Sequence, residues 1–476
     1  MCSKQLEYNQ LELILMDTKL QICTIKNIPW LIKWVTQFCP GKTLRQAGIK
    51  KRSGIAVEWL LQLLLVLPFS DLRVYQLHRA SEGLPHRSTF YDFLAQTTYN
   101  WRMLVLMVSL RLIEELQPLT SAWQDRVLIV DDSPYKRDRS KKVEYLGRQY
   151  DHSSHSWYRG YRMLTMAWSD GHSLIPVDFE LLTNSDTNKR LGEKPEVDLR
   201  THLGRRCVAA TSKATDQTLK MLDRALKATV PADYLVFDSW FAHAGLLYKL
   251  SQRLPVVCML KNSGKISFRH GKRIYQLKGL YEKVAGRKRS KKSNKHQILG
   301  SILVDMLSGP RVRIVFLCDR GNPEQWLALA CTDTSLAPER ICRIYAKRWA
   351  IEVFFKQAKQ QLGLAHEFQV RSYAAQIAHT SIVLLRYMML EYYRRQCSDE
   401  RTIPGLFHAY VRELQMLAIH MCIQLVLLEV MQLIARQGQG YLLVQVIELV
   451  GRFYQTHPWL QAFPIEPEGI SMNSES

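Results

Sequence analysis

The chain has 476 residues, of which 47% are hydrophobic, so it is long enough for two to four domains that each bury a core. Its formal net charge of +22 favours a polyanionic partner, while the hydrophobic content excludes a disordered basic tail. We therefore expect a folded protein that binds nucleic acid.

Membrane, secreted and metal-ribbon classes are not indicated. The ten cysteines are scattered, without a C-x2-C pair or histidines at zinc spacing, which argues against a zinc ribbon and a disulfide framework. Charged residues interrupt the first twenty residues, so no secretory signal is expected. The apolar runs at 59–67 and 416–435 are respectively too short and too polar to span a bilayer. We expect a cytoplasmic, nucleoid-associated protein with no membrane partner.

Residues 1–118 have the pattern of a helical region. Apolar runs over 56–67 and 101–116 each stop before a proline, as helices do. Between them, Ser88 could cap a short helix with basic flanks. This pattern fits a helix-turn-helix module that binds DNA, and it also fits ordinary helical packing.

From residue 126 the pattern changes to strands. Residues 127–130 form a short apolar run that ends in Asp131 and Asp132, and a second run over 233–238 ends in Asp238. Between them lie a predicted hairpin, 161–168 with 173–182, and an amphipathic helix over 216–228. Each short strand therefore ends in a carboxylate, although an aspartate that caps a strand-to-helix turn would also explain Asp238.

A strongly basic segment follows the second aspartate. Residues 261–295 contain thirteen lysines and arginines and one acid, Glu282. Within it, a basic run begins with Arg287, Lys288 and Arg289. This run could contact successive DNA phosphates, or it could form a solvated loop. Strand-like stretches at 298–305, 311–319 and 326–332 then predict a small sheet.

Residues 344–364 predict a largely buried helix with one polar stripe. Glu352 lies on the same face as Tyr345, Arg348, Lys356 and Lys359 if the segment is one helix. A carboxylate flanked by cations suits a metal-bound phosphate, since the glutamate takes the metal and the cations take the polyanion. The plainer alternative is an amphipathic helix with solvated ion pairs between neighbouring turns.

The spacing of this stripe resembles the Y-x2-R-x3-E-x6-K signature of the insertion sequence 4 family of bacterial DDE transposases, with every position matched. The resemblance implies an α/β fold: a ribonuclease H-like mixed-sheet catalytic core with a β-rich insertion, flanked by helical N- and C-terminal regions. It also implies that Asp131, Asp238 and Glu352 are catalytic and hold two Mg²⁺ ions, for which Mn²⁺ could substitute. The D-x-S pattern of such cores favours Asp131 over Asp132 as the first ligand.

The same resemblance assigns roles outside the triad. It implies that Tyr345, Arg348 and Lys359 contact terminal phosphates, and that Trp326 stacks on a base flipped out beside the cut. A core tryptophan on a strand is the alternative for Trp326. The implied partners are double-stranded DNA, as terminal inverted repeats and as target, and a second copy of the chain in a synaptic dimer.

The expected domains follow from these assignments. They are a DNA-binding helical region at 1–118, core segments at 119–261 and 335–395, the basic insertion at 262–334, and a helical region at 396–476 that could mediate dimerisation. The expected function is metal-dependent strand cleavage and strand transfer, by cut-and-paste and through a hairpin. A ribonuclease H-like nuclease or resolvase and a catalytically dead DNA-binding regulator remain as alternatives.

Overall fold

The computed structural model describes residues 28–70, 74, 85–151, 153–285, 298–318, 325–397 and 399–416, with isolated positions at 430, 442, 445, 446, 448, 449 and 452. The chain forms two compact units. One comprises 29–78 and 83–408, and the other comprises 1–28, 79–82 and 409–476. The sheet and the candidate site lie in the first unit.

The N-terminal part of this unit is helical, as predicted. Its helices are α1 Pro29–Phe38, α2 Gly41–Gln46, α3 Val57–Val66, α4 Arg87–Leu94 and α5 Trp101–Leu116. The bounds of α5 are those predicted, because the Asn100 side chain caps it by accepting from the backbone N–H of Met103 (3.1 Å). The predicted cap of α4 is wrong, since His86 Nδ1 accepts from the backbone N–H of Ser88 (3.2 Å) and Ser88 lies inside the helix.

Within the described residues, eleven strands form one mixed sheet. They are β1 Val127–Lys136, β2 Gly147–Asp151, β3 Ser156–Ser169, β4 Leu174–Leu182, β5 Tyr234–Phe237, β6 Val256–Leu260, β7 Ser267–His270, β8 Arg273–Gln276, β9 Ile298–Met306, β10 Arg311–Cys318 and β11 Trp326–Cys331. The order is β2-β3-β1-β5-β6-β11-β10-β9-β7-β8, with β4 paired to β3.

Five of these strands have the ribonuclease H-like arrangement. β3 pairs antiparallel with both β1 and β4, β5 lies parallel to β1, and β6 lies parallel to β5. The resulting order β4-β3-β1-β5-β6 is a three-stranded meander extended by two parallel strands. This confirms the α/β, ribonuclease H-like mixed-sheet core expected from the sequence.

The first strand is longer than its apolar run. Asp131 to Lys136 continue the antiparallel pairing with β3, from Asp131 opposite Thr165 to Lys136 opposite Gly160. The prediction that this short strand ends in its carboxylates is therefore wrong, because backbone pairing does not require apolar side chains. Asp131 lies inside the strand, at the level where β5 ends.

The β-rich insertion continues the core sheet. β11 pairs antiparallel with β6, with Ala330 opposite Cys258, and β10 and β9 follow outward. The predicted strands at 298–305, 311–319 and 326–332 match β9, β10 and β11 to within a residue. The insertion is thus hydrogen-bonded to the core along one strand.

The remaining helices are α6 His202–Ala210, α7 Ala214–Lys227, α8 Ala244–Ser251, α9 Leu277–Ala285, α10 Pro338–Ala346, α11 Trp349–Gln360 and α12 Tyr373–Gln396. α5 packs against α12 and β4, and this contact forms the centre of the core. In the part of the chain that the structure describes, no helix is long and apolar enough to cross a membrane.

The single helix predicted over 344–364 is wrong. α10 ends at Ala346 and α11 begins at Trp349, with a break at Lys347 and Arg348. The ammonium of Lys347 donates to the backbone carbonyls of Asp125 and Asp170 (3.0 Å for Asp170). These tertiary bonds hold the chain at the break, so Tyr345 and Glu352 lie on different helices.

Candidate active site

Two of the predicted catalytic acids lie side by side at one edge of the core sheet. β1 and β5 are parallel and pair Val130 with Phe237, so the residues that follow, Asp131 and Asp238, lie at the same level on neighbouring strands. The Asp238 carboxylate accepts from the backbone N–H of Trp240 (2.9 Å), which orders the turn after β5. The fold therefore brings together two carboxylates that are 107 residues apart in sequence.

The two adjacent aspartates of β1 have different partners. Asp131 is 9% exposed and its Oδ2 lies 3.0 Å from Arg348 Nη1. Asp132 points to the other face of the strand, where Oδ1 accepts from Arg162 Nη2 (2.7 Å). The Arg162 guanidinium in turn lies 3.7 Å from the ring centroid of Trp240. Because Asp132 has its own arginine, this arrangement supports Asp131 as the first acid, which stays a prediction.

The third predicted acid joins the pair through Arg348. The other guanidinium nitrogen of Arg348 donates to Glu352 one turn later on α11. One arginine therefore bridges Asp131 on the sheet and Glu352 on the helix. The break before α11 places Arg348 for this role, since it stands as the residue preceding the helix.

Lys359 also reaches the sheet. Its Nζ donates to the Ser133 hydroxyl (2.7 Å), two residues beyond Asp131 on the same face of β1. Burial, and then the nearby charge of Lys136, lower the pKa of Lys359 to about 8. Lys356, predicted on the same face, is exposed. The helix is half-buried, and only some of its polar stripe faces the aspartates.

Tyr345 lies at the end of α10, beside Arg348. Its ring centroid is 5.8 Å from the Arg348 guanidinium carbon. Burial raises the pKa of the Tyr345 phenol well above its ordinary value, although the charge of Arg348 opposes this. The phenol is thus neutral at neutral pH, and its buried oxygen has no hydrogen-bond partner among the described residues.

The acids are crowded and partly desolvated. Burial and the neighbouring charge of Asp238 raise the pKa of Asp131 to about 7, against the opposing effect of Arg348. Burial also raises the pKa of Asp238, with the charge of Asp132 acting in the same direction. Carboxylates held this close favour a cation between them.

The donor set fits a hard divalent cation, because Asp131, Asp238 and Glu352 all offer carboxylate oxygens. Across the described ranges, however, no group of three or more aspartate, glutamate, histidine or cysteine residues is close enough to hold a metal ion. Glu352 would have to leave Arg348 to join the two aspartates. Arg348 therefore occupies the electrostatic position that a metal would take.

Trp326 lies at the same edge of the sheet as the aspartates, at the start of β11. From the strand register, Trp326 lies two strands away from Asp238, which is about 10 Å across the sheet. It also lies about 10 Å further along the strand direction. Its ring is half-buried and stacks on Tyr281, with centroids 4.6 Å apart and planes at 13°, and it meets Phe316 edge-on at 5.5 Å. A base would have to displace Tyr281 to stack on this face.

Some predicted residues are not described, and some neighbours were not predicted. Arg287, Lys288 and Arg289 lie outside the described residues. Sequence reasoning missed the pairing of Arg162 with Asp132 and the basic segment 136–143 that follows β1. The cluster of cations KRDRSKK at 136–142 was the available signal for the latter.

Together the strand order and the two acids at one level of neighbouring strands define a ribonuclease H-like protein with a candidate phosphodiester-cleaving site. Residues 65–301, just under half of the chain, match the model of a family described as DDE superfamily endonuclease. This match supports a DDE transposase-type family. It includes Asp131 and Asp238 and ends before Trp326 and Glu352.

No curated protein matches the chain. Among solved structures, the cryo-EM structure of the piggyBac transposase synaptic complex with hairpin DNA is similar, with 13% identity and a TM-score of 0.41. The similarity covers 82% of this chain and 80% of that one. A likeness this distant assigns no residue and no activity to the present chain.

Proposed function

We propose that the protein is a transposase that cuts DNA at the ends of a mobile element and joins the freed ends to target DNA. One observation carries the proposal: Asp131 in β1 and Asp238 just after β5 lie at the same level on neighbouring parallel strands, and Arg348 ties Glu352 to Asp131 (3.0 Å from Arg348 to Asp131). The DDE superfamily match over both aspartates supports it.

The proposed chemistry uses the carboxylates as ligands. Two Mg²⁺ ions, or Mn²⁺ in their place, would activate a water or a 3′-hydroxyl and stabilise the leaving oxygen in an in-line attack on a phosphodiester. Asp131, Asp238 and Glu352 would hold these ions. Once Glu352 no longer accepts a hydrogen bond from Arg348, the Arg348 guanidinium would contact the DNA phosphate.

The finer details follow the signature of the helix. We propose an insertion sequence 4 type enzyme in which Tyr345, Arg348 and Lys359 contact phosphates at terminal inverted repeats. Lys359, buried beside Ser133, would place one cation deep in the site, while Lys356 would contact DNA from the exposed side. Trp326 would take a base flipped out during hairpin formation.

The proposal also covers assembly and location. Joining two element ends to one target requires at least two catalytic sites, so we propose a homodimer in the synaptic complex. The segment 396–476, most of which lies outside the described residues, is its proposed interface, and 1–118, described from residue 28, is the proposed repeat-binding region. The cytoplasm, at the nucleoid, is the proposed location because the substrate is chromosomal DNA.

The test is cleavage and joining of a labelled duplex that carries the DNA flanking the gene, with Mg²⁺ or with EDTA. We expect 3′ nicks and joined products only with the metal, and none from Glu352→Gln. Glu339→Gln, an exposed glutamate on α10, is the matched control and should keep activity.

The other outcomes separate the alternatives. Nicks without joined products would indicate a nuclease or resolvase. A shifted duplex that is never cut would indicate a DNA-binding regulator, and would overturn the proposal.

A further inference from the structure

A groove adjoins the candidate site at the far end of β1. It consists of two neighbouring cavities of about 800 and 340 Å³. The first lies between residues 136–143 and the segment 365–371. The second lies between that segment and Arg87 and Tyr91 of α4, with Ala95 just after the helix. The cavities share residues 369–371 and therefore adjoin along this segment, and we call the two together the basic groove.

The groove is strongly positive. Its exposed cations are Arg87, Lys136, Arg139, Lys141, Lys142 and Arg371. Of the described residues that line it, Asp138 is the single acid, and its carboxylate accepts from the backbone N–H of Arg159 (2.8 Å). Lys136 forms one long ion pair with Asp151 (3.7 Å). The charge therefore faces solvent largely uncompensated.

Buried bonds fix the two walls of the groove to each other. Arg137, which is buried, donates to the backbone carbonyls of Ala365 (2.7 Å), Phe368 (3.2 Å) and Val370 (3.2 Å). The Glu144 carboxylate accepts from the backbone N–H of Tyr373 at the start of α12 (2.7 Å). A ligand would thus meet a preformed surface, which lowers the entropic cost of binding.

The groove leads away from the catalytic residues. Lys136, at its near end, is five residues beyond Asp131 on β1, or about 16 Å. Lys136 lies close enough to Lys359 for its charge to contribute to the lowered pKa of Lys359. The row of cations is therefore continuous with the candidate site.

We propose that the basic groove binds the phosphate backbone of the DNA duplex on one side of the cut, about five base pairs from the phosphodiester held at Asp131. This inference rests on the proposed function, because the site fixes where the DNA is cut. Separated cations along an open groove suit the regular spacing of phosphates and select no base sequence. α4 would contact the same duplex through Arg87.

The first test removes charge from the groove. Lys141→Ala, Lys142→Ala and Arg371→Ala are combined in one variant, and Lys220→Ala, Lys227→Ala and Lys249→Ala in a control. The control lysines are exposed on α7 and α8 and line neither cavity. Binding is measured in EDTA over a range of KCl concentrations, with one duplex that carries the flanking DNA and one of unrelated sequence.

We expect the slope of log K against log salt concentration to be shallower by about three for the groove variant than for the wild type. Each removed cation accounts for about one, because it would neutralise one phosphate. Affinity near physiological salt should fall about tenfold or more on both duplexes, while the control and the melting temperatures stay unchanged. If the groove variant and the wild type have the same slope and affinity, the inference is overturned.

The second test leaves the protein intact. Neutral methylphosphonates placed about five base pairs from the cut should weaken binding of the wild type and have little effect on the groove variant. Equal weakening wherever the methylphosphonates are placed would overturn the inference. If the wild type still cleaved the flanking-DNA duplex with metal in that case, the proposed function would stand. If the wild type did not cleave this duplex at all, the inference and the proposed function would both be overturned.

Discussion

At the scale of single residues, Asp131 and Asp132 make the sharpest comparison. Asp131 lies beside Asp238 and Arg348, while Asp132 is paired with Arg162 on the other face of β1. We expect Asp131→Asn to lower the cleavage rate by more than about a hundredfold, and Asp132→Asn to lower it by roughly tenfold or less. Single-turnover cleavage of the flanking-DNA duplex measures both. The reverse ranking would reassign the first ligand.

Arg348 gives a prediction that does not depend on activity. It balances Asp131 and Glu352 from within the chain, and so would compete with a metal that these carboxylates are proposed to hold. Arg348→Met should lower the melting temperature without metal and enlarge the increase caused by Mg²⁺, relative to the wild type. The control is Arg343→Met, an exposed arginine on α10. An unchanged Mg²⁺ increment in Arg348→Met would contradict this competition.

Lys359 predicts a pH dependence of stability. Burial lowers its folded-state pKa from 10.5 to about 8, so the charged form is disfavoured by folding. The loss of folding stability caused by burying the charged lysine is fully present below pH 8. It disappears as the pH rises from about 8 to 10.5, the folded and the ordinary pKa, because the folded protein loses its proton first. Lys359→Met should therefore raise stability at pH 7 relative to the wild type, and the difference should shrink from pH 8 to 10.

Thermal unfolding across that pH range checks this sign, with Lys356→Met as the exposed control on the same helix. The same Lys359→Met change should weaken DNA binding, since it removes the cation at Ser133. A difference that grows with pH would show that the charge of Lys359 stabilises the fold.

At the scale of elements, α12 depends on one buried arginine. Arg386 is fully buried, its Nε donates to the carbonyl of Leu65 in α3 (3.1 Å), and its Nη2 donates to Glu367 (2.8 Å). Arg386→Met should lower the free energy of unfolding by about 3–5 kcal/mol, since it removes the arginine partner of the buried Glu367 carboxylate. Urea unfolding measures this. The double variant with Glu367→Gln should recover part of the loss, and strict additivity would contradict the pairing.

The elements also show where sequence reasoning succeeds. α5 and the insertion strands were predicted closely, because apolar runs and the proline that follows α5 are local signals. The break between α10 and α11 was missed, since the helical period continues through it and the bonds of Lys347 to residues 125 and 170 are tertiary. The extension of β1 was missed for a similar reason, as its pairing with β3 stabilises polar residues in a strand.

Only part of the candidate site could be predicted from the sequence. The spacing from Tyr345 to Lys359 named the residues, but it placed them on one helix face. The structure instead has Arg348 between two acids and Lys359 against Ser133. The contacts of Arg348 with Asp131 and of Lys359 with Ser133 join residues more than 200 positions apart, and no local pattern encodes them. The Arg348–Glu352 pair, by contrast, spans one helical turn.

At the scale of the whole molecule, the N-terminal helices complete the core. The Ser109 hydroxyl of α5 donates to the carbonyl of Pro176 in β4 (2.7 Å), and Arg386 reaches α3. A chain that starts at residue 119 should therefore be insoluble or unfolded, whereas one that starts at residue 28 should unfold cooperatively. Soluble yield and calorimetry distinguish the two, and a folded 119–476 chain would contradict this view.

The pairing of β11 with β6 limits how the β-rich insertion could be removed or replaced. β6 is a strand with the core on one side and the insertion on the other. Deleting the insertion would turn β6 into a bare edge, with open N–H and C=O groups ready to pair with another molecule. Any replacement module must therefore bring its own strand in antiparallel register, and a simple excision is expected to yield aggregates.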